Sequence, residues 1–66
     1  MKIYVEKVRI EKKMSLAELS RRSGVAVSHL HNIENGNKIP TIKVLCAIAK
    51  ALDVPCCELF SCEEEE

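Results

Sequence analysis

Ser15-Leu16-Ala17-Glu18-Leu19-Ser20-Arg21-Arg22-Ser23-Gly24-Val25-Ala26-Val27-Ser28-His29-Leu30-His31-Asn32-Ile33-Glu34-Asn35-Gly36 is the stretch on which the architecture turns. Ser15 followed three positions later by Glu18 has capping-box spacing: the hydroxyl satisfies one free backbone N–H and the carboxylate reaches back to another. The helix opened there runs through Leu19 to Arg22 or Ser23, where Gly24, tolerant of a left-handed cap, stops it. About two turns are too short to persist alone, so packing must hold it. From Ala26 to Asn35 the apolar residues Ala26, Leu30 and Ile33 recur at i, i+4 and i+7, one stripe on a second helix. At about 100° per residue Ser28, His31, Asn32 and Asn35 fall on its opposite side, with Val27 and His29 on the flanks. Asn35-Gly36 ends it.

Working outward, residues 3 to 13 carry Val5 and Val8 at i, i+3 among charges, an amphipathic helix with Lys12 and Lys13 in its last turn, where cations suit the helix dipole. Residues 37 to 40 read as a loop closed by Pro40, with Thr41 capping the next helix. Residues 42 to 52 are apolar nearly all round apart from Lys43 and Lys50, which predicts the central, most buried helix. Asp53-Val54-Pro55 breaks it, and Pro55 at a first helical position predicts a fifth short helix through Leu59 or Phe60. The expected fold is all-α, a compact five-helix bundle over residues 1–60 with a short acidic tail, 61–66.

Sixty-six residues hold one small domain, too little chain for a substrate cleft plus a sensing domain. Apolar residues make up 47% and the aromatics are Tyr4 and Phe60 alone, so the core must be aliphatic. The formal charge is zero, yet residues 1 to 43 hold nine Lys or Arg against four Glu, whereas residues 44 to 66 hold Lys50 against six carboxylates. No apolar run approaches the roughly 18 residues of a membrane span, and charge interrupts the start too early for a signal peptide, so a cytoplasmic, nucleoid-associated protein is expected. Cys46, Cys56, Cys57 and Cys62 allow three disulfide pairings, but reduced thiols are expected without an export signal. No Cys-x-x-Cys pair is present, and His29 and His31 diverge by about 200° on a helix, so no metal site and no cofactor are expected.

Two short helices joined through Gly24-Val25-Ala26, the second with a small polar outer face, form a helix-turn-helix pattern. Arg9, the run Ser15 to Ser20, Gly24-Val25, Leu30, Ile33-Glu34-Asn35-Gly36, Pro40 and the apolar Leu45 to Leu52 segment together resemble the Cro and phage-repressor type of helix-turn-helix domain over residues 3 to 60. The resemblance implies that the helix of residues 26–35 enters the DNA major groove and the one before it lies across the backbone. It also implies base reading by Val27, Ser28 and Asn32. The helical wheel independently favours Ser28 and Asn32. Asn32 can pair bidentately with adenine, Ser28 can bond either kind of edge, and Val27 offers only an apolar contact, such as a thymine methyl. His31, and less directly His29, is expected to contact bases or phosphates and to gain a proton there, since an ordinary imidazole titrates at about 6.5.

Glu34 lies at the margin of the apolar stripe, so its carboxylate needs a partner. The resemblance implies that Arg9 is that partner and presents to a phosphate. Further phosphate contacts are expected from the free N–H groups around Ser15 and Leu16 at a helix N-terminus and, by resemblance, from Asn35, Asn37, Lys38 and Thr41. The sequence departs from the family at Leu16, where many relatives carry Gln, at Ala26, which cannot cap with its side chain, and at Lys13, where Gly often forms a left-handed cap.

These features lead to a sequence-specific double-stranded DNA-binding transcriptional regulator, a repressor, acting as a homodimer on a two-fold operator. Cys56, Leu59 and Phe60 supply apolar area near a chain end for the dimer interface. The alternative is a protein-interaction module, antitoxin-like or adaptor. A small-molecule ligand, a membrane partner and an enzymatic role are not expected, because the histidines stand away from the C-terminal thiols.

Overall fold

In the computed structural model, which describes residues 2–61, Ser15 adopts extended backbone and its hydroxyl accepts from the Glu18 N–H at 3.0 Å, opening a helix that closes at Gly24 with φ 79°. The chain runs β1 (Lys2–Ile3), α1 (Val5–Glu11), α2 (Leu16–Ser23), α3 (Val27–Glu34), α4 (Ile42–Leu52), a single 3-10 turn (Cys56–Glu58) and β2 (Phe60–Ser61). Only half of the capping box forms. The Glu18 carboxylate does not reach back to Ser15; it accepts from Arg21 and Arg22 one turn on, so cations near the C-terminal end of α2 claim it. Ala26 caps α3 with backbone alone, as its methyl dictates. Thr41 caps α4 by accepting from the Val44 N–H at 3.2 Å.

Leu19 of α2, Leu30 and Ile33 of α3, Val5 and Val8 of α1, and Leu45, Ile48, Ala49 and Leu52 of α4 converge in one aliphatic core. α2 packs against both α3 and α4, and α1 closes the remaining side against α3 and α4. α4 is less enclosed than its composition predicts. One face is buried, but Cys46 is exposed and Ile42 is 70% exposed, because three short helices cannot surround the fourth. None of the described helices is long and apolar enough to cross a membrane.

The two ends of the chain differ from the five-helix expectation. Residues 2 and 3 are not the start of α1: they pair antiparallel with the other end, Lys2 opposite Ser61 and Ile3 opposite Phe60, and the Tyr4 N–H donates to the Leu59 carbonyl at 2.7 Å. Pro55 opens not a fifth α-helix but one 3-10 turn, since the chain must extend again at Phe60 to reach β1. The fold is therefore four α-helices with a two-stranded sheet joining the ends. Ser61, assigned to the tail, belongs to β2; residues 62–66 of the expected tail lie outside the described residues.

α1 and α4 end alike. Lys13 takes φ 57° while the Met14 N–H bonds back to Arg9, and Asp53 takes φ 60° while the Val54 N–H bonds back to Ala49. A left-handed Lys is costlier than a left-handed Asp, whose short polar side chain suits that region. Lys13→Gly is accordingly expected to raise stability by about 0.5–1 kcal/mol, net of the greater entropy glycine adds to the unfolded chain. Urea denaturation checks this; a loss of stability would show that the Lys13 side chain compensates its backbone.

Candidate nucleic-acid interface

The buried side of α3 fixes where its outer side points. Leu30 and Ile33 are fully enclosed, which leaves Ser28 and His31 exposed and Asn32 partly exposed. Val27, at the first position of the helix, is 45% exposed, so it neither disappears into the core nor stands free. His29 is half-buried on the flank. The arrangement brings Ser28, His31, Asn32 and Asn35 to one side as small hydrogen-bonding groups carrying no acid. The Asn35 amide and His31 Nε2 lie 3.0 Å apart, one turn along the same helix. The contact ties the outer edge of α3 to the residue that closes it.

The lower end of α3 is bolted to α1. Arg9 Nε donates to Glu34 Oε2 at 2.8 Å, its second terminal nitrogen donates to Oε1 at 3.2 Å, and the first donates to the Met14 carbonyl at 2.9 Å. The side chains are 13% and 3% exposed, a fork-to-fork pair largely shielded from water. The hydrogen bond to Glu34 raises the Arg9 guanidinium further above its ordinary value, against the opposing effect of burial. With three hydrogen bonds already made, any phosphate contact by Arg9 must use the N–H groups they leave.

Beyond α3, the N–H groups of Asn37 and Lys38 both bond to the Asn32 carbonyl, at 2.9 and 3.3 Å, around Gly36 at φ 81°. This closes the loop against the C-terminal end of α3 and leaves Asn35, Asn37, Lys38 and Thr41 exposed beside it. At the start of α2 Ser15 is exposed, whereas Leu16 packs its side chain against the core and can offer only its backbone N–H. The Ser15 and Thr41 hydroxyls each accept from their helix and retain an O–H to donate outward. Arg21 and Arg22 hold the Glu18 carboxyl below the usual carboxylate range.

Two features differ from expectation. Leu59, assigned to a dimer interface, is fully buried in this chain's own core, because the pairing of β1 with β2 draws it inward. It has no surface to give a partner; Cys56 and Phe60 remain half-buried. Ile39, 81% exposed, and Ile42 stand in the open on either side of the buried Pro40 and the capping Thr41. Composition alone places Ile42 in the core, and the only sequence signal against it is its position in the first turn of α4.

The helix-turn-helix family profile, of the Cro/C1 type, matches residues 5–59. Over 42 residues, 64% of this chain, the sequence is 48% identical to a protein of Sinorhizobium fredii described as the uncharacterized HTH-type transcriptional regulator y4dL; the matched part spans 21% of that relative's length. Among solved structures, the restriction-modification controller protein C.AhdI from Aeromonas hydrophila superposes with a TM-score of 0.81 at 28% identity, covering 85% of each chain.

Proposed function

Since this chain belongs to the Cro/C1-type helix-turn-helix family, we propose that it is a sequence-specific double-stranded DNA-binding regulator of transcription, acting as a homodimer that represses from a two-fold operator. One observation carries the reading: α3 turns a row of small hydrogen-bonding side chains outward while Leu30, Ile33 and the Arg9–Glu34 pair lock its other side. A rigid helix with a polar, acid-free outer side suits the major groove, where base edges present donors and acceptors.

Asn32 reads adenine, Ser28 and His31 take neighbouring acceptors, and Val27 lies against a thymine methyl. Phosphates on either side are held by the Ser15 hydroxyl and Leu16 N–H at the start of α2, and by Asn35, Asn37, Lys38 and Thr41 beyond α3; Arg9 orients α3 and adds what its remaining donors allow. One such helix covers few base pairs. Two copies related by symmetry would span half-sites about 34 Å apart and multiply their selectivity. The half-buried Cys56, in the 3-10 turn, and Phe60, in β2, are the apolar groups proposed for that contact.

Selection of bound sequences from a random duplex library tests the whole reading. A palindromic consensus supports it, and the absence of any enriched sequence would refute it. On the selected duplex, Asn32→Ala is expected to cost about 1–3 kcal/mol of discrimination at one position, roughly 5- to 150-fold. Lys38→Ala should instead weaken all sequences alike and reduce the salt slope by about one. Fluorescence anisotropy across a salt series separates the two behaviours.

A further inference from the structure

We propose that the cleft between the end of α1, the start of α2 and the end of α4 holds a phosphate of the DNA backbone, with Lys12 and Lys13 as its cations. The inference rests on the regulator reading above and extends the backbone contacts assigned there to Ser15 and Leu16. The cleft measures about 610 Å³, and Lys12, Lys13 and Ser15 are in its lining. Both lysines are exposed, and among the described residues neither enters an ion pair or a side-chain hydrogen bond.

Two carboxylates also line the cleft, and they differ in what they leave uncancelled. Glu18 is held by both Arg21 and Arg22, so that trio carries net positive charge. Asp53 has no ion-pair partner among the described residues and offsets one of the lysines. With Arg21 at the rim, four cations face two carboxylates. The carbonyls that end a helix ordinarily repel an anion. Here the Lys12 N–H bonds to the Val8 and Arg9 carbonyls at 3.0 and 3.1 Å, the Lys13 N–H to Ile10 at 2.9 Å and the Met14 N–H to Arg9 at 3.1 Å, so those oxygens are engaged.

The backbone at Lys13 points the same way. Its φ of 57° is a conformation in which glycine would be under less strain. Strained residues gather where a site needs their side chains, and an ammonium at this turn is what glycine cannot supply. Ser15, two residues on, retains an O–H to donate. A strand whose phosphate meets Ser15 carries its next phosphate about 3.4 Å further along the duplex axis, a step that the four-carbon stem of a lysine covers.

The test measures affinity by fluorescence anisotropy across a salt series, on the selected duplex and on an unrelated duplex of equal length. Lys12→Gln and Lys13→Gly should each reduce the salt slope by about one on both duplexes, leaving the preference between them unchanged. Lys13→Gly is expected to be more stable than the unaltered chain, so its weaker binding would not come from unfolding. Lys7→Gln, which removes the same charge beside Tyr4 and outside the cleft, should leave the slope as it is. Asp53→Asn, a change that the left-handed backbone tolerates, should tighten binding by on the order of two- to fivefold. Slopes unaltered in both cleft-lysine variants would overturn this inference alone, whereas an unaltered chain that binds neither duplex would overturn the regulator reading and this inference with it. Thermal stabilisation by inorganic phosphate that disappears in Lys13→Gly, with unaltered DNA slopes, would assign the cleft to a free anion and overturn the backbone contact.

Discussion

Glu34→Ala is expected to lower the stability of this domain by about 3–5 kcal/mol, the range for breaking a shielded ion pair from one side. The carboxylate is 3% exposed and accepts two hydrogen bonds from Arg9, so its loss strands a guanidinium that is itself only 13% exposed. Domains of this size commonly have a total stability of roughly 3–10 kcal/mol, so the variant stands near its unfolding midpoint. Arg9→Ala should be as harmful, since it leaves a carboxylate buried and also releases the Met14 carbonyl. Replacing both together, Arg9→Met with Glu34→Leu, should recover most of the loss, because apolar groups of similar volume need no partner. Urea denaturation of the four proteins gives the coupling energy. A single-variant loss under about 1 kcal/mol would mean that the pair behaves like an exposed one.

The pH dependence of this stabilisation has a definite sign on the arginine side. The folded-state value is raised, so that contribution is fully present below the ordinary guanidinium value and is lost only as pH rises through the folded one, beyond the neutral range. Glu18 works in the opposite sense: its lowered value gives a contribution present above the usual carboxylate range and lost as pH falls through the folded value. Exposure of the Glu18 and Arg21 side chains to water and salt keeps that second effect minor.

Leu30→Ala carries the second large effect, about 2–5 kcal/mol from lost burial and the cavity left behind. Leu30 is fully enclosed in an eight-residue helix with no side-chain cap at its start, so packing is the chief support α3 has. The consequence differs from that of a core cut elsewhere. Loss of Leu30 should loosen α3 before the rest, so hydrogen exchange of the α3 amides should quicken more than that of α4, and DNA affinity should fall even under conditions where most molecules remain folded. Uniform quickening of all helices would instead mean that α3 unfolds only with the whole domain.

The helix starts were legible wherever a hydroxyl announced them. Ser15 and Thr41 open α2 and α4 by bonds that local sequence dictates, and Gly24 closes α2 in the conformation glycine favours. The outward side of α3 was also legible, because the spacing of Leu30 and Ile33 sets it. What escaped depends on residues far apart in the chain. Ile3 and Phe60 pair across nearly the whole sequence, and no two-residue strand carries a local signal strong enough to compete with helix propensity. Leu59 looked like spare apolar area near a terminus until that pairing drew it inward. The reversal at Asp53 escaped as well, because a non-glycine residue takes there a left-handed conformation that the sequence does not advertise.

The small sheet has a topological consequence. Because Lys2 lies opposite Ser61, the chain enters and leaves the domain through adjacent, antiparallel strands. Within the described residues the first and last strands therefore lie side by side. Adjacent entry and exit points are the geometry that lets a unit be inserted into a surface turn of a host without pulling its helices apart, and the exposed Asn37–Ile39 connection is the place where a permuted chain of residues 2–61 would be opened.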